Sequence, residues 1–260
     1  MDSTREDRLR EMGLAPIWAR RVPAPQSPDV SVQTVTVEPL AARATGQRAD
    51  ATAAVESAQP GPRALEIATL SWDELAPHIA ACTACGLCRS RKRTVPGVGV
   101  STAGWMFVGE APGAEEDAQG EPFVGQGGRL LDNMLKAVAL SRTNNVFIAN
   151  VLKCRPPNNR NPEPVEVAQC SPYLERQLEL IRPRLIVALG RFAALTLLNT
   201  EATIASLRGR VHAYRGVPLI VTYHPAYLLR SLPDKAKAWE DLLFARRTFA
   251  ALQSEESSQT

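Results

Sequence analysis

Apolar and polar positions divide this 260-residue chain into two unlike parts. From Leu70 onward, short apolar runs alternate with amphipathic stretches. The runs at 105–109, 146–152, 185–189 and 217–223 are of strand length, nearly continuous and rich in Val, Ile, Leu and Phe, the pattern of strands buried on both faces. Between them, Leu130, Leu131, Met134, Leu135 and Val138 fall on one face of a helix, and further helices are expected over 165–181, 192–198 and 235–249. Strands alternating with helices predict an α/β fold, a three-layer α/β/α arrangement around a central, mainly parallel four-stranded sheet.

The first 63 residues read differently. They hold one aromatic, Trp18, and no cysteine, and from Val22 on they are dominated by Ala, Pro, Ser, Thr, Val and Gln. Such a segment cannot bury enough apolar surface to offset the entropy of ordering it. A disordered leader is expected over 1–63, with a short helix over 4–12 and a stretch, LREMGLAPIW, suited to docking a partner protein. The folded domain is then expected over 64–252, with a flexible tail over 253–260.

Composition narrows the class. A hydrophobic content of 45% supports a real core, no stretch approaches the ~20 apolar residues of a membrane span, and MDSTREDRLR lacks the basic-then-apolar order of a secretion signal. The expectation is a cytoplasmic, nucleoid-associated monomer with no membrane contact. A net charge of +3 is too small to prove a nucleic-acid partner, but its distribution is informative. Eight of the 30 basic and eight of the 27 acidic residues lie in 1–63, so the whole excess follows Arg63. Arg89, Arg91, Lys92 and Arg93 cluster beside three cysteines, and Lys153, Arg155 and Arg160 surround a fourth, arrangements suited to phosphate contacts.

Open parallel sheets bind ligands beyond the carboxyl ends of their strands. There the first strand runs into GEAPGAEED, with Glu110 in the turn, and the second carries Asn150 into KCRPPNNRNP. The third ends at Gly190, and the fourth delivers Tyr223 and His224 into HPAYLLR. Singly, each polar residue has a plain structural use: Glu110 as a helix cap, Asn150 in a turn, His224 as a strand end held extended by Pro225. Together at one rim they point to a ligand crevice.

Five cysteines in a reducing compartment point to metal or catalysis rather than to disulfides. Cys82, Cys85 and Cys88 form overlapping Cys-x2-Cys pairs, and Cys154 and Cys170 are separated by fifteen residues. Four thiolates bind zinc or an iron-sulfur cluster, and spacing alone does not choose between them. One cysteine is spare. It is Cys88 if Cys82 pairs with Cys85, although a Cys85–Cys88 pair has the same spacing.

Taken together, CTAC, GEAPGAEED, EPFVGQGG, Asn150 followed by VLKCRPPNNRNP, and HPAYLLR resemble the family 4 uracil-DNA glycosylases over about residues 72–250. These are the bacterial and archaeal iron-sulfur members of the uracil-DNA glycosylase superfamily. The resemblance implies hydrolysis of the N-glycosidic bond of deoxyuridine in single- or double-stranded DNA, leaving uracil and an abasic site for base excision repair. It implies one 4Fe-4S cluster on Cys82, Cys85, Cys154 and Cys170, with zinc the alternative and Cys88 outside the ligand set. It also implies that Glu110 and His224 line the reaction centre, that Phe123 stacks on uracil and that Asn150 reads its edge. Ala111 and Pro112 then shape the pocket, and Glu116 and Asn159 match further polar positions.

Chemistry adds expectations of its own. Tyr227, Leu228 and Leu229 are expected to wedge into the stack vacated by the base, with Arg230 and Arg155 contacting DNA. Where family 1 enzymes carry an Asp after the polar residue of their first motif, this sequence has Ala111, so Glu110 with Asn159 is expected to hold the attacking water. Two rival readings are a metal-stabilised DNA-binding module without catalysis and a sister-branch glycosylase of broader base specificity.

Overall fold

The computed structural model describes residues 61–257. Most of the expected leader, with its helix over 4–12 and LREMGLAPIW, therefore lies outside the described residues, as do 258–260. Residues 61–63 are part of the fold: Gly61 caps helix α1 (Pro62–Thr69), and Arg63 reaches the Gln169 carbonyl at 2.7 Å. Helix α2 (Trp72–Ala81) starts at its N-cap Ser71, whose N–H and hydroxyl both donate to the Glu74 carboxylate, at 2.8 and 2.7 Å. The remaining helices are α3 (Ala114–Gln119), α4 (Gln126–Ala137), α5 (Pro164–Ile181), α6 (Arg191–Leu198), α7 (Ile204–Leu207), α8 (Pro225–Leu228) and α9 (Asp234–Ser257). Helix α9 runs past 252, where the domain was expected to end.

Six strands, not four, build the sheet: β1 (Val98–Gly99), β2 (Trp105–Gly109), β3 (Val146–Asn150), β4 (Leu185–Leu189), β5 (His212–Tyr214) and β6 (Val217–Thr222). Their order is β1-β3-β2-β4-β6-β5, with the expected four parallel at the centre and the short outer pair antiparallel. The added strands are only two and three residues long, too short to leave a periodic signal. β5 joins β6 through Arg215 and Gly216, both at positive φ (48° and 82°), as a two-residue I′ hairpin turn requires. β3 and β6 end at Asn150 and Thr222, earlier than expected, because the chain turns there toward the crevice.

Every residue of β2, β3 and β4 is buried, and alternation splits their side chains between two cores. Met106, Val108, Phe147, Ile186 and Ala188 pack with Leu174 and Leu178 of α5 and Ala193 of α6. Trp105, Phe107, Ile148, Leu185 and Val187 pack with Leu131 and Leu135 of α4 and Leu242 and Phe249 of α9. Each large side chain so buried contributes about 1.5–3 kcal/mol. Among the described residues, no helix is long and apolar enough to cross a membrane.

The central order β3-β2-β4-β6 also sets where a ligand fits. The chain first steps from β2 to β3 on one side and then crosses back to β4 on the other, so connections diverge above the carboxyl ends and leave a crevice.

Candidate active site

That crevice holds about 1320 Å³ of empty space, part of it open to solvent. Parallel register sets Gly109 of β2 beside Asn150 of β3. A Cβ on Gly109 would overlap both Asn150 Oδ1 and the Phe123 ring, so glycine is what lets these two side chains close in. Asn150 is 2% exposed. Among the described residues, its Oδ1 is the one buried side-chain oxygen or nitrogen with no hydrogen-bond partner. Leaving a buried acceptor unpaired costs about 1–3 kcal/mol, a cost recovered when a donor arrives from outside the chain.

His224 enters from the end of β6. Gly190, at the end of β4 with φ +93°, makes room for it, since a Cβ there would stand 2.7 Å from His224 Cβ. Pro225 keeps His224 extended, at φ −70° and ψ 134°, as the N-cap of α8. Its Nδ1 accepts the Ala226 N–H at 3.2 Å, which requires that nitrogen to be unprotonated. Burial lowers the imidazolium pKa to about 4. The ring is therefore neutral near pH 7 and carries its proton on Nε2. Phe123 lies against it, with ring centroids 5.4 Å apart and planes 30° apart. Burial also holds the Glu110 carboxyl above its usual range.

Of the other expected site residues, Ala111, Pro112, Glu116, Asn159 and Arg230 all line this cavity. Glu116 spends its carboxylate on the chain itself: it accepts from Gly113 N at 3.0 Å, Val124 N at 3.1 Å and Gly125 N at 3.2 Å. It laces the turn after β2 to the loop that carries Phe123. Asn159 is exposed, and its Oδ1 accepts from Arg155 Nε at 2.7 Å. One expected DNA contact needs correction. Leu228 is 1% exposed, packed with Tyr223 and Ala238, and presents no surface to a ligand. Its neighbours do: Leu229 is 42% exposed, and Tyr227 stacks on Tyr223 at 5.5 Å while donating its hydroxyl to Asp234 at 2.7 Å.

All five cysteines, none in a disulfide, line a second and smaller cavity of about 300 Å³. Cys82 is the C-cap of α2, Cys85 opens a 3-10 turn (Gly86–Arg89), Cys154 follows β3, and Cys170 sits in α5. Cys88, expected to be spare, borders the same cavity, so position alone does not set it apart. Three donors end on sulfur: Arg63 Nη2 on Cys82 at 3.3 Å, Arg91 Nη1 on Cys154 at 3.1 Å and Lys153 N on Cys170 at 3.2 Å. Donors of this kind stabilise thiolates and orient ligands. Among the described residues, no three His, Cys, Asp or Glu side chains form a group that would hold a single metal ion.

Two basic residues that the sequence offered for phosphate are thus used inside the fold. Arg91 faces Cys154 and the Ala80 carbonyl. Lys153 is fully buried, where desolvation lowers its ammonium to about 8, and Nζ donates to the Asn150 carbonyl at 2.8 Å and to Gln177 at 2.7 Å. Sequence reasoning missed the roles of Gly109, Gly190 and Arg63, although Gly190 was placed at the rim. A glycine ending an apolar strand was the available signal for the first two.

Similarity to known proteins agrees with this geometry. The model of the uracil DNA glycosylase superfamily matches residues 96–243. The chain is 48% identical to the type-4 uracil-DNA glycosylase of Archaeoglobus fulgidus over 167 residues, which is 61% of this chain and 83% of that relative. It is 42% identical to the type-4 enzyme of Saccharolobus solfataricus over 190 residues, 70% of this chain and 87% of the relative. To the type-5 uracil-DNA glycosylase of Pyrobaculum aerophilum the identity is 35% over 154 residues, 52% and 67% of the two chains. With β1 through α8 and the start of α9 inside the matched span, and Glu110, Phe123, Asn150 and His224 gathered in one crevice, the chain belongs to the uracil-DNA glycosylase superfamily, in its type-4 branch.

Proposed function

We propose that this chain excises uracil from DNA by hydrolysing the N-glycosidic bond of deoxyuridine, leaving an abasic site. The observation that carries the reading is the buried, unpaired Oδ1 of Asn150 beside Phe123 and His224. Uracil offers an N3–H to that oxygen and an O4 to the amide nitrogen of the same side chain. Cytosine presents the reverse pattern, an N4 donor and an N3 acceptor, so with the amide in this orientation it would leave the oxygen unpaired, and the edge that fits is uracil's rather than cytosine's. A base inside a duplex is out of reach, so it is flipped into the crevice or taken from a single strand, and Phe123 supplies the face on which it stacks. As the bond breaks, negative charge develops on the departing uracil, and the neutral His224 donates Nε2–H to its O2. Glu110, its carboxyl close to the developing positive sugar, holds the attacking water in the place that family 1 enzymes give to an Asp.

Cys82, Cys85, Cys154 and Cys170 would hold one 4Fe-4S cluster, whose contribution is to cross-link α2, α5 and the loop after β3. The N–H···S donors fit thiolate ligands, and the resemblance to the iron-sulfur family favours the cluster over zinc. Arg230, Leu229, Tyr227 and Arg155 meet the DNA around the crevice. The enzyme works as a cytoplasmic monomer. Uracil release from single- and double-stranded DNA by anaerobically purified, iron-loaded protein tests the reaction, and no release would overturn it. About four irons per chain with visible absorption tests the cluster, and a colourless zinc protein would overturn that part alone.

A further inference from the structure

Among the described non-glycine residues at positive φ, Phe123 is the one aromatic, at φ +56°. For a bulky side chain this backbone region is strained and persists only where surroundings enforce it. Gly128 of α4 supplies one boundary, since a Cβ there would overlap the Phe123 carbonyl. The other boundary comes from Arg142, in the loop between α4 and β3. Its guanidinium takes three successive residues: Nη1 donates to Glu121 Oε1 at 3.1 Å and to the Pro122 carbonyl at 2.7 Å, and Nη2 donates to the Phe123 carbonyl. Nε donates to Asp132 Oδ1 of α4 at 2.7 Å, which fixes the plane of the fork. The Arg142 side chain is 17% exposed.

We propose that Arg142 is a positioning residue for uracil excision: it holds the 121–123 turn so that the Phe123 ring stays against His224 and Gly109 as a preformed stacking face. The inference rests on the reading of Phe123 as the surface on which uracil stacks. Arg142 is outside the crevice lining, so its influence passes through the turn. Lysine has one nitrogen and no fork, and it cannot serve three carbonyl and carboxylate acceptors while also pairing Asp132. Without the clamp, the turn relaxes from its left-handed angle and the ring leaves its place beside the base.

A double-mutant cycle on uracil release from single-stranded DNA tests this, read as kcat/KM and as inhibition by free uracil. Arg142→Gln is expected to lower kcat/KM roughly tenfold and to weaken inhibition by uracil, in keeping with a displaced binding group. Phe123→Ala is expected to lower kcat/KM at least as much. In the Phe123→Ala background, Arg142→Gln should then cost less than about twofold, because its only route of action is gone. Equal losses in both backgrounds would show a general structural role and overturn the proposal, as would full activity in Arg142→Gln. Full activity in Phe123→Ala would instead remove the stacking reading and the proposal with it. Should Arg142→Gln fail to fold, Arg142→Lys takes its place in the cycle and carries the same expectations.

Discussion

The crevice and the cysteine pocket are joined by residues 150–154, yet they treat polar groups in opposite ways. Around the cysteines, three cations end on partners inside the chain: Arg63 on Cys82, Arg91 on Cys154, Lys153 on Asn150 and Gln177. In the crevice, Asn150 Oδ1 has no partner, burial raises the Glu110 carboxyl, and burial lowers the His224 imidazolium. Satisfied buried groups, Lys153 among them despite its lowered ammonium, brace a fold, whereas an unsatisfied one marks where an external group is received. The most conspicuous chemistry of the sequence, its cysteines, therefore belongs to the brace. Lys153 ties the two together by holding the backbone of Asn150 from the cysteine side.

The sharpest break between the regions comes from truncating the crevice. Asn150→Ala or His224→Ala should lower uracil release by ~100-fold or more, the scale of losing one preorganised transition-state donor. Iron content and the thermal midpoint should stay near those of the parent, because neither side chain contributes a bond to the cysteine pocket. Activity retained in both variants would refute the site assignment. Cys154→Ser should do the reverse. Loss of iron and a fall of more than ~10 °C in the midpoint are expected, with a smaller loss of rate for whatever remains folded at low temperature. Calorimetry, iron analysis and the release assay on the same samples read both arms.

These contrasts also explain what was legible in the sequence. The four central strands announced themselves because burial on both faces makes them continuous apolar runs, and Glu110, Asn150 and His224 followed from where such strands end. β1 and β5 were not legible, since two or three residues carry no period and exist only by pairing with β3 and β6. Nor were the uses of Arg91 and Lys153. Charge in a sequence reads as surface, and only the fold shows a guanidinium turned onto sulfur or an ammonium buried under a strand end. Leu228 failed as a DNA contact for the converse reason: its neighbours in HPAYLLR are exposed, but one turn of α8 turns it into the core.

Acidity separates Glu110 from His224 in the crevice. An ordinary histidine would gain its proton near 6.5, but His224 does so only at about 4. The rate should therefore show no inflection near 6.5. The acid limb should belong to Glu110, falling above the usual carboxylate range because burial raises that group, and Glu110→Gln should abolish the limb along with much of the rate. A limb near 6.5 that survives Glu110→Gln would refute this. The sign for stability follows as well. The unfolded chain binds the histidine proton near 6.5 and the folded chain only at about 4, so acidification through that window costs stability.

The smallest expected effect lies in the cysteine pocket itself. Cys85 and Cys88 stand at the start and within a 3-10 turn, where three residues make one revolution, so both sulfurs fall on the same side and border the same cavity. The Cys88 N–H donates to the Cys85 carbonyl at 3.3 Å, which makes Cys88 part of the turn that presents Cys85. With the proposed ligand set of Cys82, Cys85, Cys154 and Cys170, Cys88→Ser should keep its iron and change the release rate by less than about twofold. Cys85→Ser should lose iron. Iron retained in Cys85→Ser and lost in Cys88→Ser would exchange the two roles while leaving the brace and the crevice as distinct as before.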